Sequence, residues 1–280
     1  MTGATRVVGI IGWPVSHSLS PVIHGAAFDA LDMDWVYVPL PVPPGSVPAA
    51  VAGLPALGLA GANVTMPHKT EIAGILAADL TEDAARLQAV NTIEIRGEQV
   101  LGHNTDAPGF DRFLRRDAGL DPRGVRALIY GAGGAARACA LALAQGGAAT
   151  LEVAVRDASR AAALRRAVEG LDTVVTVIAF EDAVGWKGDL VIDATPIGSD
   201  GQGVPPEPAY APGMLVVDLK YHPSVTPLQR NARAAGSTAF GGLGLLLHQA
   251  GLSFELWSGR PAPLEVMSAA AIGAIAEPAP

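Results

Sequence analysis

Short apolar runs alternate with alanine-rich stretches of helical length along the whole chain. The runs fall at residues 7–11, 35–40, 59–64, 127–130, 151–155, 174–179, 190–193 and 214–218, and stretches such as 137–145 and 158–169 lie between them. Strand-length runs separated by helix-length segments predict βαβ units and largely parallel sheets. Residues 90–95 and 99–101 flank Arg96-Gly97-Glu98. This predicts a hairpin, which makes the first sheet mixed. A helix is expected over 70–78 and another over 107–118.

Turn-forming residues divide this pattern. Asp121-Pro122-Arg123-Gly124 is turn chemistry, and a fresh strand-loop-helix starts directly after it, so a domain boundary is expected near residues 104–125. The proline-rich stretch 39–48 reads as a loop inside the first half. The glycine- and proline-rich stretch 198–212 reads as a long, mobile loop near a site. The pattern shows no internal repeat, and only Glu277-Pro278-Ala279-Pro280 reads as a low-complexity tail.

Composition narrows the class. The 280 residues suit one large or two medium domains with a sizeable core. Half of them are hydrophobic, yet no apolar stretch reaches the ~20 residues that span a bilayer. The start of the chain reads straight into a strand without a basic leader, and the single cysteine, Cys139, excludes an internal disulfide. The expectation is a cytoplasmic α/β protein. A net charge of −8 with no lysine/arginine cluster argues against nucleic acid as a partner. The six histidines lack metal-ligand spacing, so no metal is expected. Neither a G-x-S-x-G elbow nor a P-loop sequence occurs.

The strongest cofactor signal is Gly131-Ala132-Gly133-Gly134-Ala135-Ala136, directly after the apolar run 127–130. Gly131 permits a tight turn, Gly133 lets the backbone approach a pyrophosphate, and Ala136 allows close packing of helix on strand. The helix that follows offers its free N–H groups to phosphates. After the next strand, Val155 occupies the usual acidic position, and Arg156 and Arg160 could clamp a 2′-phosphate. Asp157 between them pulls the other way, toward the ribose hydroxyls of NAD, or else is a plain helix N-cap. NADP is the preferred reading and NAD the alternative.

Candidate chemistry gathers in the first half. Asn63-Val64-Thr65-Met66-Pro67-His68-Lys69 puts an amide, a hydroxyl and an ammonium in a strand-to-helix turn, and Lys69 is a candidate acid/base. Ser16-His17-Ser18-Leu19-Ser20-Pro21 opens a helix whose hydroxyls and N–H groups suit a carboxylate. Asn91-Thr92 begins a later strand. Asp106, which closes the first half, is a helix cap, a partner for Lys69, or both.

These segments, with Asp193-Ala194-Thr195-Pro196, Asp218-Leu219-Lys220-Tyr221 and Gly242-Leu243-Gly244, resemble shikimate dehydrogenases along essentially the whole chain. The resemblance implies two α/β domains with a cleft between them. A substrate-binding domain of residues 1–106 and 242–280 has a mixed sheet, and a Rossmann-like domain of residues 107–241 binds the dinucleotide. It implies reversible NADPH-dependent reduction of 3-dehydroshikimate to shikimate on the route to chorismate and the aromatic amino acids, by a monomer or homodimer. By position, Lys69 and Asp106 are the catalytic pair, and Ser18 and Ser20 hold the substrate carboxylate. Thr65, Asn91, Asp106, Tyr221 and Gln249 bind its ring and hydroxyls. Gly131, Ala132, Gly133, Gly134, Ala135, Arg156, Asp157, Arg160, Thr195 and Gly242 bind the cofactor. Val155-Arg156-Asp157 departs from the family's Asn-Arg-Thr, and Ser199 and Leu245 stand where methionines are common. An NAD-dependent quinate/shikimate dehydrogenase and a non-catalytic cofactor sensor are the rival readings.

Overall fold

The computed structural model describes residues 1–276, so the tail expected at 277–280 lies outside the described residues. The chain divides into two compact units, one of residues 1–105 and 247 onward, the other of residues 106–246. Asp106 and the residues from Gly242 to Leu246, expected in the first domain, belong to the second unit.

The first unit contains β1 (Arg6–Gly12), α1 (Ser20–Ala30), β2 (Trp35–Pro41), α2 (Val47–Ala56), β3 (Gly61–Val64), α3 (Lys69–Ile75), α4 (Glu82–Leu87), β4 (Thr92–Arg96) and β5 (Gln99–His103). Its sheet runs in the order β2-β1-β3-β4-β5. β1 is parallel to β2 and β3, whereas β4 is antiparallel to β3 and β5. The sheet is therefore mixed. Gly97, at φ +62°, makes the tight turn between β4 and β5, a conformation that suits glycine. One sheet face packs Ile11, Val64 and Ile93 against α2 and α3 through Val51, Leu54 and Ile72.

The second unit contains α5 (Asp106–Arg116), β6 (Arg126–Tyr130), α6 (Gly134–Gln145), β7 (Thr150–Val155), α7 (Ala162–Ala167), β8 (Val174–Ala179), β9 (Leu190–Asp193), β10 (Leu215–Asp218), α8 (Pro227–Ala234) and β11 (Thr238–Phe240). All its strand pairings are parallel. From one edge the order is β8-β7-β6-β9-β10-β11, the 3-2-1-4-5-6 order of a Rossmann sheet. The order reverses between β6 and β9, and ligands bind outside the strand ends at such a point. The inner strands β6, β7, β9 and β10 are mostly buried, which explains their near-continuous hydrophobic runs. α9 (Leu243–Ser258) starts in the second unit and continues into the first, to which α10 (Leu264–Ala276) also belongs.

Several elements differ from the sequence expectation. β2 extends through Pro39 to Pro41 and α2 already begins at Val47, so the expected loop shrinks to residues 42–46. β2 is an edge strand, where a missing N–H costs no ladder bond on the open side. The helix expected over 158–169 is a 3-10 turn at Ala158–Ala161 followed by the short α7. The helix expected over 70–78 starts one residue early, at Lys69, and stops at Ile75. Within the stretch 198–212, Pro206 and Glu207 are tied down. The Tyr130 hydroxyl donates to Pro206 O, Gly185 N donates to Glu207 O at 2.9 Å, and Asn231 Nδ2 donates to Glu207 Oε1 at 2.7 Å. No helix among the described residues is long and apolar enough to cross a membrane.

Candidate active site

One end of the first sheet collects the candidate side chains. Register brings Ile11 beside Val64, Asn63 beside Thr92 and Thr92 beside His103, so the segments that follow β1, β3 and β5 and precede β4 emerge together. Backbone bonds lace them. Thr65 N donates to Ile11 O at 2.8 Å, Val64 N to Asn91 O at 2.7 Å, and Asn91 N to His103 O at 3.0 Å. Lys69 is the first residue of α3, half-buried, and its carbonyl accepts from Val90 N at 2.9 Å. The preceding His68 is buried and bonds Val42 O through Nε2 at 2.7 Å, anchoring the turn that carries Lys69.

Thr92, Thr105 and Gln249 hold Asn91, with Thr92 Oγ1 donating to its Oδ1 at 3.0 Å. Thr105 N donates to Asn91 Oδ1 at 2.8 Å. Asn91 Nδ2 donates to Thr105 Oγ1 at 2.9 Å and to Gln249 Oε1 at 3.4 Å. Beneath it lies a buried polar layer that sequence reasoning did not find. Tyr37 OH donates to Asn63 Oδ1 at 2.8 Å, and Asn63 Nδ2 donates to Ser253 Oγ at 3.0 Å and Thr92 Oγ1 at 3.1 Å. Burial pushes the Tyr37 phenol well above its usual range, opposed by a hydrogen bond from Ser20, so the phenol stays a donor. Asn63 was the one visible signal, a buried amide within an otherwise apolar strand.

Ser18 and Ser20 form the opening of α1. Leu19 is the N-cap, Pro21 sits in the first turn, and Ser18 Oγ accepts from Ser20 N at 3.2 Å. Asp106 is the first residue of α5, directly after Thr105 and in the second unit.

In the second unit, the strand-turn-helix after β6 takes the form the glycines require. Gly131 has φ +93°, and a Cβ there would press on Ala194 O at 3.3 Å and Thr195 Cγ2 at 3.4 Å. Gly133 is the extended N-cap of α6, and a Cβ on it meets nothing within 4 Å, so the backbone is open to a close ligand. A cavity of about 510 Å³ lies here, its lining including Gly131, Ala132, Gly133, Arg156, Arg160 and Thr195. Asp157 and Phe180 also line it, whereas Gly134 and Ala135 form the first turn of α6 outside its lining. The Arg156 guanidinium lies over the Phe180 ring, 5.5 Å from its centroid. Asp157 is an N-cap: its Oδ1 accepts from Ser159 N at 3.0 Å and Ser159 Oγ at 2.7 Å. Those bonds hold its carboxyl below the usual range.

The ends of β9 and β10 carry a group the motif reading left without a role. Asp193 and Asp218 are register partners, both fully buried, and Lys220 Nζ lies 2.7 Å from Asp193 Oδ2 and 2.8 Å from Asp218 Oδ1. Asp193 Oδ1 also accepts from Thr195 N at 2.9 Å and Thr195 Oγ1 at 2.7 Å. Burial raises the Asp193 carboxyl, and Lys220 opposes that shift. Gly242, buried, donates its N–H to Lys220 O at 2.9 Å, and the Leu219 backbone leaves no room for a Cβ. Tyr221 is half-buried, its phenol raised by burial. Among the described residues no cluster of three or more His, Cys, Asp or Glu is arranged to hold a metal ion.

Comparison with known proteins gives a consistent result. Residues 10–93 match the model of the shikimate dehydrogenase substrate binding domain, and residues 242–272 match the shikimate 5'-dehydrogenase C-terminal domain. The chain is 42% identical over 277 residues to the shikimate dehydrogenase (NADP(+)) of Desulforamulus reducens, covering 95% of this chain and 94% of the relative. Among solved structures, it resembles the Thermus thermophilus shikimate 5-dehydrogenase in complex with NADP(H) and shikimate. There the TM-score is 0.84 at 32% identity, over 96% of this chain and 99% of that one. It also resembles a 5-ketofructose reductase of Gluconobacter, with TM-score 0.89 at 30% identity over 98% and 100% of the two chains. One backbone thus serves proteins named for different substrates, and the side chains of the site decide the chemistry.

Proposed function

The chain belongs to the shikimate dehydrogenase family, and from that premise we propose that it catalyses the reversible NADP-dependent reduction of 3-dehydroshikimate to shikimate. The observation that carries the reading is the gathering of Lys69, Asn91, Thr65 and Gln249 at one end of a sheet whose α1 opens with Ser18 and Ser20. A ring acid with hydroxyls and a reacting carbonyl needs that set of groups.

Ser18 and Ser20 receive the carboxylate, aided by the positive end of α1. Thr65, Asn91, Tyr221 and Gln249 bind the ring hydroxyls. Asn91 is well suited, because bonds to Thr105 and Gln249 fix its amide before substrate arrives. NADPH supplies the hydride. The Lys69 ammonium stabilises the negative charge growing on the carbonyl oxygen and hands it a proton, and takes the proton back in the oxidative direction. Asp106 is assigned as the second member of the catalytic pair and binds the neighbouring hydroxyl.

Arg156 and Arg160 take the 2′-phosphate, while Gly131, Ala132 and Gly133 let the backbone meet the pyrophosphate. Ser159 occupies one oxygen of Asp157, Oδ1, which weakens the argument for NAD. The test is a matrix of 3-dehydroshikimate with NADPH and with NADH, followed through loss of the reduced nicotinamide. Turnover with NADPH is expected. No turnover with either cofactor overturns the reading and leaves a non-catalytic sensor.

A further inference from the structure

We propose that Lys220 is a positioning residue for the cofactor, acting through Asp193 and Thr195, an inference that rests on the dehydrogenase reading for the identity of the dinucleotide. Parallel pairing of β9 with β10 puts two carboxylates side by side at the strand ends, with Asp193 and Asp218 in register and neither exposed. Two buried like charges repel unless a cation lies between them. Lys220 is that cation, and its side chain is only 11% exposed.

Every oxygen of the pair has a partner. Lys220 Nζ bonds one oxygen of each carboxylate, and Lys220 N adds a bond to Asp218 Oδ1 at 3.1 Å. Thr226 Oγ1 donates to Asp218 Oδ2 at 2.6 Å. The remaining Asp193 oxygen holds Thr195 by both its N–H and its hydroxyl, and Lys220 Nζ also donates to Thr195 O at 3.0 Å. Thr195 is thereby gripped at three of its polar atoms. It lines the cofactor cavity and lies where a Cβ on Gly131 would touch it. The ammonium therefore sets the wall of the cavity facing the glycine turn, although it does not itself line that cavity. The Lys220 carbonyl, which takes the Gly242 N–H, remains whatever side chain stands at this position.

The test measures NADP affinity directly, together with both Michaelis constants, in the full chain. Lys220→Met removes the charge at similar length and leaves the carboxylates uncompensated. NADP binding should weaken about tenfold or more, because breaking a buried pair disturbs everything it holds. KM for NADP should rise alongside, with KM for shikimate within about threefold. Adding Asp193→Asn should restore much of the loss, since the amide oxygen still caps Thr195 and the repulsion between two buried carboxylates is gone, with Asp218 still held by Thr226 Oγ1 and Lys220 N. Should Lys220→Met not fold, Lys220→Arg takes the test, because a planar fork cannot replace one nitrogen shared by three oxygens, and weaker NADP binding is again expected. Wild-type affinity in a folded single variant overturns the inference, as does a double variant that is no better than the single. A wild-type protein that binds NADP yet turns over neither shikimate nor 3-dehydroshikimate instead overturns the assigned reaction, and the binding arm still judges Lys220.

Discussion

The Asp157 carboxylate is bonded to Ser159, 3.0 Å from its backbone nitrogen and 2.7 Å from its hydroxyl oxygen. It acts as the cap of the turn that carries Arg160, and Oδ1, with two donors from Ser159, is the oxygen so engaged. Arg156 is steadied over Phe180. Two cations in the cavity lining, beside an acid with one oxygen already capped, favour a 2′-phosphate, and each well-placed charge-assisted bond is worth ~1.5–3 kcal/mol. kcat/KM with NADP should exceed that with NAD by about tenfold or more, and Arg156→Ala should lower the NADP value while changing the NAD value by less than about twofold. Parity between the cofactors in the unaltered protein would contradict this.

Shikimate should be preferred to quinate. The two differ at the carbon bearing the carboxylate, where quinate carries an extra hydroxyl. Ser18 Oγ already accepts from Ser20 N, so the cradle is compact and has a backbone bond to keep. A desolvated hydroxyl without a partner costs ~1–3 kcal/mol, or roughly 5- to 150-fold in kcat/KM. Equal kcat/KM for the two acids in the oxidative direction would move the protein to the quinate-using branch.

The buried layer under Asn91 should matter to stability and to catalysis separately. Tyr37→Phe strips the Asn63 amide oxygen of its donor, and should cost ~1–3 kcal/mol in denaturant unfolding because a buried acceptor is left unpaired. Ser253→Ala removes one acceptor of Asn63 Nδ2, which still reaches Thr92 Oγ1 and Asn91 O, and should cost less, about 1 kcal/mol. The reverse ranking would show that Ser253 is the centre of the layer.

His24 gives a pH dependence of stability with a definite sign. It is fully buried, stacks on Tyr37 at 4.6 Å, and burial alone lowers its pKa from 6.5 to about 3. The unfolded chain then binds a proton that the folded chain refuses. This contribution is intact above pH 6.5 and is lost as the pH falls toward about 3, at ~1.4 kcal/mol per unit. His24→Leu should flatten the acid side of the stability profile. An unchanged slope between pH 6 and pH 4 would mean, at roughly this magnitude, that other groups set it.

Much of the fold was legible because most strands read as apolar runs near their own length and many turns carry a glycine or proline, whereas β11 (Thr238–Phe240) and the turn at Asp32 carry no such signal. The parallel second sheet follows from inner runs such as β9 and β10 that are buried throughout. Pro39 and Pro41 misled because sequence does not say which strand lies at an edge. At the site, the turn at Gly131 was readable, since its backbone conformation needs glycine. The roles of Tyr37, Ser253 and Lys220 were not. Each depends on partners 26 to 190 positions away, such as Asn63 for Ser253 and Asp193 for Lys220, and no local periodicity encodes such distances. Asp157 was ambiguous in sequence because N-cap and ribose acceptor want the same residue at the same place.

Lys69 is the central assignment. It opens α3 on a turn fixed by His68, and its carbonyl accepts from the nitrogen of Val90, the residue before Asn91. The decisive measurement is single-turnover and steady-state reduction of 3-dehydroshikimate by Lys69→Ala, with NADP affinity measured on the same preparation. General acid assistance is typically worth ~10²–10⁴-fold, so kcat should fall by about that factor, with NADP affinity within about twofold of the unaltered protein. A variant that keeps more than roughly a third of kcat would contradict the assignment of Lys69 as the proton donor.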